Sequence, residues 1–223
     1  MERYNRMLGA LTAQEMEMLR TKSVLIAGCG GLGGYLLEYL ARLGVGMIRI
    51  ADGDVFEPSN LNRQLLSAPE MIGTKKVDAA AERVRLINPD VKVEAIPAFL
   101  TEENADCLLE GCDLALDALD NAKSRHVLSA GCGRMGIPWV HGAIQGWVSQ
   151  AAVSIPGDGL VESLYPSDGA ENKTSLPFTP ALCAAMQVSL CTQLLVEREV
   201  ETGRVWCFDL LNMELENYRI EKG

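Results

Sequence analysis

The sequence has no apolar run close to the ~20 residues that a membrane-spanning helix needs. Its opening stretch, Met1 to Ala10, mixes charged and apolar residues and has no apolar signal-peptide core. A cytoplasmic protein with no membrane contact is the expectation. Positive charge is scarce: 20 Lys and Arg stand against 30 Asp and Glu, a formal net charge of −10. A nucleic-acid partner is therefore not expected, because its affinity rests on Lys and Arg contacts to phosphate. A small nucleotide stays open, since its site needs only a few local cations. Cysteine never occurs as Cys-x-x-Cys. Cys29, Cys107, Cys112, Cys132, Cys183, Cys191 and Cys207 stand apart, and His126 and His141 lie far from any cysteine pair. The spacing of a structural zinc site is missing, so zinc is not expected. The thiols lie mostly in apolar stretches and read as buried and reduced. No internal repeat and no low-complexity segment is present.

What is present is ordinary in amount and regular in order. A chain of 223 residues, 48% hydrophobic and 22% charged, suits one domain with a large core. A capping box at Thr12 and Glu15 predicts a short helix in the N-terminal arm, residues 1–20. The apolar run at 23–27 ends in glycines and reads as a buried parallel strand. Leu36, Leu37, Leu40 and Leu43 then form one helical stripe that Gly44 stops. Strands are expected at 47–51, 91–96, 114–117, 139–143 and 148–155. Helices are expected at 74–87, at 102–110 after an N-cap at Thr101, and at 122–135. Such alternation means βαβ units. The fold class is thus α/β, Rossmann-like and doubly wound, a mostly parallel sheet with additional antiparallel strands toward the C-terminus. We read one domain: a nucleotide-binding core at 21–155, a polar crossover loop at 156–180, and a C-terminal helix and strands at 181–223. A loop that long is usually a lid or a binding loop.

The chemistry begins at Gly28-Cys-Gly30-Gly31-Leu-Gly33, a G-x-G-x-x-G between a predicted strand and a predicted helix. Glycines let phosphate approach the backbone, and the helix N-terminus offers free N–H groups. Asp52, after the second strand, suits a ribose, which NAD and ATP share. Behind it come Asp54, Asn60, Arg63 and Gln64, then Lys76 at the start of a helix. A guanidinium and an ammonium there suit the charge that develops on a departing pyrophosphate. Taken singly, Arg63 and Lys76 read as solvated surface charges. As an ordered set they point to nucleotidyl transfer. Leu119, Asp120 and Asn121 follow the C-terminal end of a predicted strand, where ligands of open α/β sheets bind. Asp120 could hold Mg²⁺; Asp120 or Asn121 would serve equally as a helix N-cap.

This ordered set resembles the ThiF/MoeB/HesA family, relatives of the ubiquitin-activating enzymes. The matching stretches are Arg3 to Arg6, the glycine loop, Asp52 to Gln64, Gly73 to Lys76, Ile87 to Pro89 and Leu119 to Asn121. The resemblance implies an ATP-dependent adenylyltransferase that activates the C-terminal carboxylate of a small ubiquitin-like carrier ending in Gly-Gly, serving thiamine, molybdopterin or another sulfur-containing product. It implies phosphate binding by Gly28, Gly30, Gly31 and Gly33, and ribose binding by Asp52. It assigns triphosphate contacts and catalysis to Asn60, Arg63, Gln64 and Lys76, and Mg²⁺ to Asp120. Arg6 resembles an arginine inserted into a partner subunit's site, which implies a homodimer. The chain departs from many members in having no zinc cysteines. Its 157–180 loop has no cysteine, and Cys183, just beyond, is the nearest covalent candidate, although small apolar neighbours favour simple packing. Competing readings are a tRNA-modifying dehydratase of the same family, an NAD(P)-dependent oxidoreductase that would leave Arg63, Gln64 and Lys76 idle, and a non-catalytic scaffold.

Overall fold

A computed structural model of the chain describes residues 2–166 and 174–220. A 3-10 turn at Glu2–Met7 precedes α1 (Ala13–Thr21). The alternating part follows: β1 (Ser23–Ala27), α2 (Gly31–Leu43), β2 (Met47–Ala51), α3 (Lys76–Ile87), β3 (Lys92–Ile96), α4 (Ala105–Leu109), β4 (Leu114–Asp117), α5 (Ala122–Met135) and β5 (Trp139–Gln145). Then come β6 (Val148–Ser154), α6 (Leu160–Leu164), α7 (Thr179–Leu195), β7 (Arg204–Asp209) and β8 (Glu214–Arg219).

The strands form one sheet in the order β3-β2-β1-β4-β5-β6-β7-β8. The first five pair in parallel, and β6, β7 and β8 extend the sheet antiparallel. The expected class is therefore what is observed. Successive residues of β1 serve opposite cores because strand side chains alternate. Val24 and Ile26 pack under α2, α3 and α7, with Leu36, Leu40, Val84 and Val188; Leu25 and Ala27 pack with Leu108, Leu128, Trp139 and Leu160 of α4, α5, β5 and α6. Both sheet faces are covered there, so β1 reads as an uninterrupted apolar run. The capping box of α1 forms as expected, with Thr12 and Glu15 each accepting from the other's backbone N–H at 3.1 and 2.7 Å. Gly44 ends α2 in the left-handed region, at φ +79°.

Three local expectations are corrected. The helix expected at 102–110 is only Ala105–Leu109, because the Asn104 side chain accepts the Thr101 N–H at 2.8 Å and ties the preceding residues into a turn. The 156–180 stretch is not all loop: α6 occupies Leu160–Leu164, buried through Leu160 and Val161, and α7 starts at Thr179 rather than 181. The middle of that stretch, 167–173, lies outside the described residues.

The sheet splits where function is expected. β1 is flanked by β2 on one side and β4 on the other, so their crossovers run in opposite directions. A crevice opens beyond the C-terminal ends of β1 and β4, the topological switch point. β4 and β5 pair only at Ala115–Trp139 and Leu116–Val140, then part. Gln187 of α7 fills the gap, donating to the carbonyls of Asp117 and Val140 at 2.8 and 3.1 Å. Gly142 makes room for it, since a Cβ there would stand 2.2 Å from the Gln187 amide carbon.

Candidate functional site

The glycine loop runs from β1 into α2 against the segment that leaves β4. Gly28 sits at φ +102°, and a Cβ on it would meet the Ala118 carbonyl oxygen at 2.5 Å. Only glycine meets both demands. Gly33 is buried, and a Cβ there would stand 2.1 Å from the Gly28 carbonyl oxygen. Its task is close helix-to-loop packing, and it does not line the cavity. Gly30 is the N-cap of α2 with no capping side chain, so the first N–H groups of that helix open to the crevice.

Asp52 ends the β2 side of the site. Its carboxylate accepts the Cys29 N–H at 2.6 Å and the Asp54 N–H at 2.8 Å, which locks the glycine loop to the β2 exit. From there residues 53–75 leave the sheet and return. The Lys76 N–H donates to the Asp54 carbonyl at 3.1 Å and closes the base of the excursion. The Lys76 ammonium is nearly buried and lies 2.9 Å from the Asp54 carboxylate. Within the excursion, Asn60 is buried. Its side chain caps the Glu57 N–H, and its carbonyl accepts from the N–H groups of Arg63 and Gln64. Asn60 shapes the turn that presents these two side chains and does not itself line the cavity. Arg63 donates to the Ser59 carbonyl and the Asn62 side chain at 2.9 and 2.8 Å. The oxygen Gln64 Oε1 is buried without a hydrogen-bond partner among the described residues.

Opposite stand Leu119, Asp120 and Asn121. Asn121 caps α5, accepting the Ser124 N–H at 2.8 Å, and its amide donates to Asp120 Oδ1 at 3.1 Å. Of the two cap candidates, Asn121 takes the position, and Asp120 faces the cavity. Gly28, Gly30, Gly31, Asp52, Asp54, Arg63, Gln64, Lys76, Leu119, Asp120 and Asn121 thus line one cavity of about 680 Å³, within the usual range for a small-molecule site. Arg6 lies on the N-terminal 3-10 turn and does not line this chain's cavity.

Sequence reasoning missed the other half of the site. The cavity continues past β4 along Ala143, Ile144, Gln145, Val148 and Gln150 of β5 and β6, to Arg125 and Tyr165. Behind it lies a buried polar cluster. The Asp117 carboxylate meets Arg125 Nε at 3.1 Å and His141 Nδ1 at 2.8 Å. Burial pushes the Asp117 carboxyl up, but the Arg125 charge and the His141 contact outweigh this and hold it below the usual carboxylate range. The Arg125 guanidinium lies 4.7 Å from the centroid of the Tyr165 ring. Nothing in the spacing of Arg125, His141 and Tyr165 announces this cluster; only the meeting of β4, α5, β5 and the α6 exit assembles it. Phe99, also missed, packs on Gly53, where a Cβ would stand 2.7 Å from its ring.

Cys183 is fully buried, and burial pushes its thiol well above the ordinary range, so it is not an accessible nucleophile. No cysteine lines the cavity among the described residues. Nor do the described residues bring three His, Cys, Asp or Glu together as a metal site, and none of their helices is long and apolar enough to cross a membrane.

Comparison with known proteins gives a consistent picture. The ThiF family model matches residues 4–223. The SAMP-activating enzyme E1 of Haloferax volcanii is 33% identical over 97% of this chain and 84% of its own length. The sulfur carrier protein adenylyltransferase of Thermus thermophilus is 39% identical over 69% of this chain, but only 57% of that protein is covered. Among solved structures, E. coli MccB superposes with a TM-score of 0.86 at 18% identity, covering 99% of this chain and 70% of that one. At that identity the likeness shows the fold.

Proposed function

Because the chain belongs to the ThiF family, we propose that it is an ATP-dependent adenylyltransferase acting on the terminal carboxylate of a small ubiquitin-like sulfur carrier. The names of its relatives in Haloferax and Thermus support that substrate class. One observation carries the reading: Arg63 and Lys76, two cations, line the same cavity as an uncapped, glycine-rich helix N-terminus and the Asp120 carboxylate. A nicotinamide site has no use for that set. A triphosphate does.

In this reading the N–H groups around Gly30 and Gly31 take phosphate oxygens. Phe99 and Leu119 flank the base, and Asp52 faces the ribose. The carrier carboxylate attacks the α-phosphorus; the bond from that phosphorus to the bridging oxygen breaks, and pyrophosphate leaves. The carboxylate is already ionised, so no proton needs to move. Catalysis then reduces to alignment and to the placing of positive charge where negative charge grows. Arg63 and Lys76 supply that charge. Asp120, a hard oxygen donor at the cavity wall, fits Mg²⁺, which it would hold together with the phosphates and which would neutralise the departing pyrophosphate. Arg6 completes a partner's site, so the working unit is a homodimer in the cytoplasm.

The test is ATP–pyrophosphate exchange with a panel of purified ubiquitin-fold proteins ending in Gly-Gly. Exchange that depends on one carrier and is lost in Asp120→Ala establishes the activity. ATP binding with no exchange against any carrier sinks it.

A further inference from the structure

The half of the cavity beyond β4 raises a question of its own: what orients the acyl substrate there. Both edges of β6 are occupied, by β5 and by β7, so an incoming chain cannot add as a strand beside β6. Side chains on that sheet face are the groups that β5 and β6 offer it. Along β5 and β6 the lining consists of Ala143, Ile144 and Val148, which are apolar, and two amides, Gln145 and Gln150. Gln145 is near the exposed turn. Gln150 stands directly across from Ala143, whose small side chain leaves room above it.

The orientation of the Gln150 amide follows from its neighbours. Asp117, held below the usual carboxylate range, is ionised and can only accept. His141 Nδ1, 2.8 Å away, must therefore carry a proton. Gln150 Nε2, an amide nitrogen, lies 3.0 Å from His141 Nε2. With the amide nitrogen donating, His141 Nε2 accepts, which matches the Nδ1–H tautomer that Asp117 favours. The same orientation turns Gln150 Oε1 toward the Cys207 thiol, 3.9 Å away, and the Tyr165 hydroxyl lies 3.4 Å from the same His141 nitrogen. One amide N–H is thus committed to His141, and the other remains on the side chain that lines the cavity.

We propose that Gln150 is a substrate-positioning residue: its second amide N–H donates to an oxygen of the terminal peptide of the acyl substrate, and Asp117 and His141 fix that N–H in direction. Resting on the adenylation reading above, the assignment deepens it by naming the donor that reads the end of the carrier. The amide acts on the acyl substrate and touches no part of ATP. Its loss should therefore appear in one Michaelis constant and not in the other.

Gln150→Met keeps the length of the side chain and removes its hydrogen bonds. With the full-length chain and the Gly-Gly carriers of the exchange panel, this variant should raise the KM for the carrier about tenfold, the worth of one such bond. The KM for ATP and the ATP affinity by calorimetry should stay within the scatter of the wild type, while the melting temperature falls, because the buried His141 Nε2 loses a donor. Gln150→Asn, one methylene short, should fall between the two. His141→Gln should raise the carrier KM in the same direction, and combining it with Gln150→Met should add little, since both changes act through one amide. If the carrier KM is unchanged in Gln150→Met, or the KM for ATP rises with it, Gln150 is not the positioning donor. Additive effects of the two changes remove His141 from the assignment. Absence of carrier-dependent exchange in the wild type is a different failure: it overturns the adenylation reading itself.

Discussion

At the scale of single residues, Arg63 separates catalysis from folding most cleanly. Its contacts within the protein, to the Ser59 carbonyl and the Asn62 side chain, belong to its own turn. Arg63→Ala should leave the melting temperature almost unchanged and lower the exchange rate by ~10²- to 10³-fold, the usual cost of removing one preorganised charge donor from a transition state. Arg63→Lys should recover only part of the rate, because a point charge cannot replace the guanidinium fork. Asp117 is the opposite kind of residue, buried and structural. Held below its ordinary value of about 3.9 in the folded state, its carboxyl stabilises the fold above that value. The contribution is lost as the pH falls through the lower, folded value. Asp117→Asn removes the buried counter-charge of Arg125 and should cost about 3–5 kcal/mol near neutrality. Urea midpoints measured as a function of pH should show the variant and the wild type converging in acid; curves that stay parallel below pH ~4 would mean that Asp117 does not titrate with the fold.

At the scale of elements, local signals were readable wherever they are short-range. The capping box at Thr12 and Glu15, the left-handed Gly44 and the double-sided apolar run of β1 need no distant partner, and each forms where the sequence places it. Thr12→Ala should therefore cost about 1 kcal/mol by urea denaturation, the ordinary worth of an N-cap; an unchanged midpoint would show that α1 is held by its packing alone. Elements decided by tertiary contact were not readable. α6 has only five residues and no periodic stripe, and its reason for existing is the cover that Leu160 and Val161 give to Trp139 and Leu128. The same divide runs through the site. The half built on contiguous motifs, from Gly28 to Lys76 and at Asp120, was legible because sequence spacing alone brings it to one sheet edge. The half made of Arg125, His141, Gln150 and Tyr165 was not, because its members meet only after β4 and β5 have parted.

At the scale of the whole molecule, the proposed homodimer has to bring Arg6 to a site that is not its own. Arg6 lies outside its own cavity. Leu8, Leu61 and Leu65 are each at least 40% exposed, and Leu65 packs beside Gly34 on α2. The longest helix, α7, carries no charged residue along its 17 positions, yet Ala185 and Ser189 on it are exposed. The homodimer proposed above would cover such side chains. An isologous dimer would then place each Arg6 at the partner's phosphates. This has a consequence that a monomer cannot imitate. Arg6→Ala alone and Arg63→Ala alone should each lose exchange. Mixed in equal amounts and allowed to re-equilibrate, they should recover ~one quarter of the wild-type rate. Half of the dimers are then mixed, and each mixed dimer holds one site with its own Arg63 and the partner's Arg6. A mixture as inactive as its components would show that Arg6 serves its own chain or none.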